Sequence, residues 1–172
     1  MDLDKALGLI VEVPDFPEPG VLFRDFSPLI AHAGGFRAVV DALAETLDPG
    51  TDLVAGIEAR GFVLAAAVGY ARGLGVALVR KPGKLPKVAG RIDYALEYGT
   101  ASLELPAGVI PPGANVVVLD DVLATGGTGA AAVKLIQDAG GLVSRLSVVL
   151  ELAALGGRAP LAGTPVTALA QV

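Results

Sequence analysis

Two adjacent carboxylates, Asp120 and Asp121, close a run of aliphatic residues in VVVLDDVLATGGTGAA (116–131), and the loop after them contains little besides Gly, Thr and Ala. A strand that turns through glycines into a helix exposes backbone N–H groups without partners, and an anion can satisfy them. Phosphate is the obvious anion. Carboxylates lying directly on a phosphate would repel it, so Asp120 and Asp121 must face another part of the same ligand, either hydroxyls or a magnesium ion. The stretch therefore suggests a sugar phosphate.

A second cluster carries the opposite charge. Arg80, Lys81, Lys84, Lys87 and Arg91 place five positive charges within twelve residues, with no acid until Asp93. That is a local anion site or a well-solvated loop. The chain as a whole has a net charge of −5, which argues against nonspecific binding to a phosphate polymer, since such binding depends on many Lys and Arg. With three Tyr and five Phe there is little material for an aromatic nucleic-acid platform. The absence of Cys excludes disulfides and thiolate zinc sites, and the single His32 cannot form a histidine metal cluster. His32 is read as a surface or helix-cap residue.

The elements that must position these groups read as alternating strands and helices. Leu3, Ala6, Leu7 and Ile10 have helical spacing before VPDFPEPG interrupts with three prolines, and Phe23 follows in a loop. Phe36, Val39, Val40, Leu43, Ala44 and Leu47 form an apolar helical stripe stopped by Pro49-Gly50. Leu53 to Ile57, Val76 to Val79, Val116 to Leu119 and Leu142 to Leu150 are aliphatic runs of the kind buried on both faces of a parallel sheet. Helices are expected over Gly61 to Arg72 and Thr128 to Asp138. Residues 81–92, punctuated by Pro and Gly, read as a loop, Tyr94–Tyr98 with Ser102–Leu105 as a hairpin, and the tail as one edge strand. The expectation is a single α/β domain over 1–172 with a central parallel sheet flanked by helices. The apolar stretch Gly61–Ala71 is too short for the roughly 20 residues of a membrane helix, and the acidic start MDLDKALGLI lacks an export signal's basic region. A cytoplasmic enzyme is expected, without a membrane or nucleic-acid partner.

Two other phosphate motifs compete. Gly127 to Ala132 fits G-x-G-x-x-A, with Glu151 downstream where a dinucleotide ribose contact would stand, but Asp120–Gly126 separate the strand from those glycines and the two acids would face a pyrophosphate. A Walker A loop fails, since Leu85 follows Gly83-Lys84 and Leu78 stands where its first glycine should be.

The 120–128 loop resembles the phosphoribosyl-pyrophosphate (PRPP) signature of the type I phosphoribosyltransferases. PDFPEPGVLFRD (14–25), EARGF (58–62), RKPGKLP (80–86) and YALEYGT (94–100) are similar to the adenine branch of that family, in the same order. The resemblance implies the type I phosphoribosyltransferase fold, with a small N-terminal hood (1–35) and a mobile catalytic loop or hairpin (81–100). It implies conversion of adenine and PRPP to AMP and pyrophosphate with magnesium, in a likeness to homodimeric purine-salvage enzymes.

Residue by residue, the 5-phosphate falls to backbone and hydroxyl groups of Ala124, Thr125, Gly126, Gly127 and Thr128. The ribose hydroxyls fall to Asp120 and Asp121, directly or through magnesium. Arg60 is the implied pyrophosphate clamp, helped by Lys81 or Lys84, after a non-proline cis peptide at Glu58–Ala59. Glu97 matches the family's acid/base carboxylate, and Tyr98 would close over the site. Phe23 would stack on the base while Leu22 and Arg24 read its edge with backbone groups. One departure is Asp93, where the family more often has Ser or Thr before the tyrosine that Tyr94 matches. Two rivals are weighed: a catalytically silent PRPP- or purine-binding regulator of a nucleic acid, which should be basic outside the site, and the same transfer to hypoxanthine or guanine.

Overall fold

A computed structural model describes residues 1–95 and 99–172, and these divide into two compact units, Met1–Ala42 and Leu43–Val172. The first unit opens with α1 (Leu3–Leu7), whose N-terminus is capped by Asp2 accepting from the Lys5 N–H at 2.9 Å. Strands β1 (Val11–Pro14) and β2 (Leu22–Asp25) follow as an antiparallel pair, in register Val13 opposite Phe23. Phe23 thus lies in a strand, where the sequence reading has a loop. The proline-rich link hides the pairing from periodicity: it turns through a cis Phe16–Pro17 bond and closes with the Gly20 N–H on Asp15 Oδ1 at 2.7 Å. A short helix α2 (Ser27–Ala31) leads to α3 (Ala33–Glu45), the helix expected from the 36–47 stripe. His32 Nδ1 accepts from the Gly35 N–H at 3.0 Å, so the lone histidine is a helix-cap residue.

In the second unit, β3 (Leu53–Ile57), α4 (Arg60–Arg72), β4 (Gly75–Val79), β7 (Asn115–Leu123), α5 (Gly127–Asp138), β8 (Leu142–Glu151) and β9 (Val166–Gln171) build a parallel sheet ordered β4-β3-β7-β8-β9. A hairpin, β5 (Val88–Ala95) with β6 (Thr100–Pro106), is inserted between β4 and β7. Val116, Val117, Val118 and Leu119 are all fully buried, as expected of a strand flanked by two others and covered on both faces. From β3 the chain crosses to β4 on one side, and from β7 to β8 on the other. Right-handed crossovers then put α4 and α5 on opposite faces and reverse the winding between β3 and β7. The carboxyl ends of β3 and β7 form the place where open α/β sheets bind ligands.

The structure departs from two other sequence expectations. Residues 88–92 belong to strand β5 rather than to a loop. Ile92 and Tyr94 pack on the core while Arg91 and Asp93 face outward, but Gly90 occupies the preceding inward position and so breaks the visible alternation. β7 also runs four residues beyond Leu119, so Asp120 and Asp121 lie within the strand and not after it.

Candidate active site

The β3–β7 ladder ends at Gly56 opposite Leu119, and beyond it both strands deliver their polar residues together. From β3 come Glu58 and Arg60, joined through a cis Glu58–Ala59 peptide at the position the sequence implies. From β7 come Asp120 and Asp121. Gly61 lets α4 begin close against β7, because a Cβ there would lie 2.7 Å from the Leu119 carbonyl oxygen and 3.0 Å from Asp120 Oδ1.

Arg60 Nε donates to Asp121 Oδ2, which brings together two residues 61 positions apart in the chain. Asp121 is buried and Arg60 about half exposed. Asp120 accepts the Asp121 N–H on Oδ1 at 2.9 Å. Its carboxyl is pushed well above the usual range, first by burial and then by the charge of Asp121, with Arg60 opposing. Two adjacent carboxyls thus share one cationic partner, Arg60, bound through Asp121.

After Leu123 the chain passes Ala124 and Thr125 to Gly126, which has φ +84° and starts α5. Gly126 offers no side chain as a cap, so side-chain capping leaves the first N–H groups of α5 to other partners. Thr125 is exposed, Gly127 and Thr128 are half-buried, and the Thr128 hydroxyl lies 3.2 Å from the Tyr94 hydroxyl.

Lys81 and Lys84 are exposed, on a segment whose backbone is tied down. The Lys81 N–H donates to Glu58 Oε2 at 2.9 Å, and the Gly83 N–H donates to Glu104 Oε2 at 3.1 Å. Arg80 also reaches Glu58 Oε2, at 3.4 Å, and the Lys84 carbonyl at 3.3 Å, and its guanidinium stands 5.8 Å from the Phe62 ring centroid. Lys81's N–H and Arg80 hold the Glu58 carboxyl below its ordinary value against the effect of burial. Glu58 and Glu104 have no role in the sequence analysis, and Arg80 enters it only as one of the five clustered basic residues. EARGF and RKPGKLP contain Glu58 and Arg80, but nothing local signals that they meet.

In the N-terminal unit Leu22, Phe23 and Arg24 are consecutive in β2, and Arg24 pairs with Glu12 across the hairpin. Leu22 and Arg24, two residues apart on a strand, direct their backbone groups to one edge. Phe23 meets Phe16 edge-to-face at 5.1 Å and 71°. Phe16 is a further aromatic that the sequence reading leaves without a role. Glu97 and Tyr98 lie outside the described residues.

Residues 30–158 match the model of the phosphoribosyl transferase domain. An adenine phosphoribosyltransferase of Saccharopolyspora erythraea is 61% identical over 157 residues, covering 91% of this chain and 85% of that protein. Among solved structures, the adenine phosphoribosyltransferase of Thermoanaerobacter pseudethanolicus superposes with a TM-score of 0.95 at 41% identity, covering 99% of each chain. That of Saccharomyces cerevisiae, complexed with an imino-altritol bisphosphate and adenine, has a TM-score of 0.92 at 35% identity over 97% of each chain. With its paired carboxylates in β7, its cis turn and its glycine-threonine loop at the reversal of the sheet, this chain belongs to the phosphoribosyl transferase family, among the adenine phosphoribosyltransferases.

Proposed function

We propose that the chain transfers the 5-phosphoribosyl group of PRPP to N9 of adenine, giving AMP and pyrophosphate. The observation that carries this reading is the meeting of Asp120, Asp121 and Arg60 at the carboxyl ends of β3 and β7, beside a helix start with no side-chain cap. A ligand spanning that place is offered a cation, two carboxylates and the N–H groups of a helix start in sequence. PRPP has a pyrophosphate, ribose hydroxyls and a 5-phosphate to set against them.

Backbone N–H groups from Ala124 to Thr128, with the hydroxyls of Thr125 and Thr128, bind the 5-phosphate. Asp120 and Asp121 accept from the ribose hydroxyls, and their charge opposes the cation that develops at C1 as its bond to pyrophosphate breaks. Arg60, held at Nε by Asp121, binds the departing pyrophosphate with Lys81 and Lys84. Glu97 takes the proton from the purine five-membered ring as N9 bonds to C1, and Tyr98 covers the site. Phe23 stacks on the base, and the backbone of Leu22 and Arg24 reads its edge.

Asp120 and Asp121 suit magnesium. Among the described residues no group of three or more His, Cys, Asp or Glu could hold a metal ion, so the protein's share would be one or two carboxylate oxygens. Magnesium commonly sits on that share together with substrate phosphates. When bound it neutralises charge on the pyrophosphate. A cation beside the adjacent Asp120 and Asp121 carboxyls would offset the mutual repulsion that raises Asp120.

The chain is further proposed to act in the cytoplasm as a homodimer. No helix among the described residues is long and apolar enough to cross a membrane. Val63 and Tyr70, 41% and 92% exposed and seven residues apart on α4, put two large apolar side chains on one helix face, which supports association. Light scattering at micromolar concentration tests the dimer.

An assay with PRPP, magnesium and, separately, adenine, hypoxanthine, guanine and xanthine tests the activity. Adenine alone should be consumed. A site that pairs with a substrate's hydrogen-bonding groups rejects a mismatched one by roughly 10⁴-fold, so comparable rates with guanine or hypoxanthine would overturn the base assignment. No turnover of any base would favour the silent regulator.

A further inference from the structure

Glu151, the acid that a dinucleotide motif would assign to a ribose, is buried and already bound. Arg158 grips it with Nε on Oε1 at 2.8 Å and Nη2 on Oε2 at 2.7 Å, and Gln171 Nε2 adds a bond to Oε2 at 2.8 Å. Arg158 Nη1 also donates to the Val166 carbonyl at 3.0 Å, which ties the fork to the start of β9. The seven-residue reach from Glu151 to Arg158 is thereby clamped at both ends.

Within that reach Gly157 is buried, whereas Ala153 to Gly156 and Arg158 are exposed. A Cβ on Gly157 would fall well inside van der Waals contact distance of the Ala124 carbonyl oxygen and 2.9 Å from Leu123 Cγ. In the other direction, a Cβ on Gly126 would collide with the Gly157 carbonyl oxygen and lie 2.9 Å from its carbonyl carbon. The tightest contacts in both directions are backbone on backbone, where no side-chain end can swing aside.

We propose that Gly157, held in place by the Glu151–Arg158 pair, is a positioning residue for the phosphate loop. Its backbone forms the wall behind Ala124 to Gly126 that sets where the loop's N–H groups point. The inference rests on the reading of Ala124–Thr128 as the 5-phosphate cradle. A methyl group at position 157 pushes the Ala124 carbonyl and tilts the peptide that carries the Thr125 N–H. Lysine at position 158 cannot reproduce the two-pronged grip on Glu151, so it loosens the wall without intruding on the loop.

The test uses ribose 5-phosphate, which carries the 5-phosphate without the pyrophosphate. Calorimetry measures its affinity for wild type, Gly157→Ala, Arg158→Lys, Thr125→Val and Thr128→Val, and steady-state kinetics measures KM for PRPP and for adenine. Displacement of a positioned group by about 1 Å can cost about 10²-fold, and Gly157→Ala should lose affinity on that scale. Its PRPP KM should rise in parallel while adenine KM stays at the wild-type value. Arg158→Lys should show the same split to a smaller degree, and it carries the test if Gly157→Ala does not fold.

Wild-type affinity in Gly157→Ala or Arg158→Lys, with loss in the threonine variants, would overturn the wall and leave the cradle standing. A rise of both KM values together would reduce Gly157 to general stability and also overturn it. Wild-type affinity in the threonine variants would remove the cradle itself, and the wall with it.

Discussion

The Thr128 hydroxyl donates to the hydroxyl of Tyr94 at 3.2 Å, linking the first turn of α5 to the β5–β6 hairpin. The same Thr128 hydroxyl is proposed to bind the 5-phosphate, so it has two acceptors to choose between. Tyr94→Phe keeps the ring, which packs on the core, and removes one of them. A hydrogen bond of this kind contributes about 1 kcal/mol, and its loss should appear as faster amide exchange at residues 92–94 and 101–103. PRPP KM should not rise, since the freed hydroxyl remains available. An increase matching that of Thr128→Val would mean that Tyr94 itself touches the ligand.

Asp120 and Asp121 should respond oppositely to the same isosteric change. Burial and its neighbour's charge raise the Asp120 carboxyl, so the folded state holds that proton more tightly than the unfolded chain. The associated stability is present at low pH and is lost as pH rises through the folded value. Asp120→Asn keeps an oxygen for the Asp121 N–H and removes the burdened charge, so it should melt higher than wild type at neutral pH. Asp121→Asn weakens a buried partner of the half-exposed Arg60 and should lose about 1–3 kcal/mol. Both should lose turnover, because both remove charge that opposes the cationic C1. Calorimetric melts at pH 7 and pH 4 check the signs, and equal shifts in the two variants would contradict the arrangement.

What the sequence made legible is what depends on neighbours in the chain. Leu53–Ile57 is aliphatic on both faces, and a buried parallel strand is the economical reading; β3 has those same bounds. Gly61 to Arg72 is legible as a helix from its continuous small and aliphatic residues, and the structure ends that helix at Gly73, with φ +66°. The β1–β2 pair escaped because its turn contains Asp15 at φ +55° and a cis proline, whose geometry no spacing rule anticipates. The hairpin strand from Val88 escaped because Gly90 takes an inward place against Leu135 that an aliphatic residue would have advertised. In the site, motifs point to Asp120, Asp121 and Arg60, but the bond between Arg60 and Asp121 spans 61 residues and has no local signature. The contacts of Glu58, Glu104 and Gly157 have none either, since each meets its partner only in the folded chain.

Glu58 supplies a pH dependence. The Lys81 N–H and Arg80 depress its carboxyl below the ordinary value of 4.5. For a depressed acid the stabilisation is complete above the ordinary value and is lost as pH falls through the folded one. Glu58→Gln should therefore lower the melting temperature at pH 7 and converge on wild type in strong acid. A constant difference across that range would show that the carboxylate's charge is not what holds the 80–84 segment.

Trypsin should distinguish the anchored and open parts of the basic segment. Lys84 and Lys87 are exposed and lie outside strands, so cleavage should occur after them in the free protein. Arg91 is paired with Glu104 in the hairpin ladder and should resist, and the Lys81–Pro82 bond should resist as well. If the segment closes over pyrophosphate and excludes water from the reacting sugar, PRPP with magnesium should slow cleavage sharply and adenine alone should slow it less. Mass spectrometry of the fragments measures this, and equal rates with and without ligand would leave Lys84 and Lys87 as solvated charges.

Glu97 is the residue on which the proton step depends in the proposed reaction. Glu97→Gln keeps the size of the side chain and removes its basicity, so N9 would have to attack C1 without a partner for the purine proton. Positioned acid–base groups contribute typically 10²–10⁴-fold, and kcat should fall by about that amount. The 5-phosphate, ribose and pyrophosphate are assigned to other residues, so PRPP affinity measured by calorimetry should stay near wild type. The decisive reading is the pH profile: in wild type the acidic limb of kcat/KM should follow protonation of this carboxylate, and in Glu97→Gln that limb should vanish. A profile unchanged in shape, with turnover intact, would make Glu97 an ordinary solvated carboxylate and move the proton to another group.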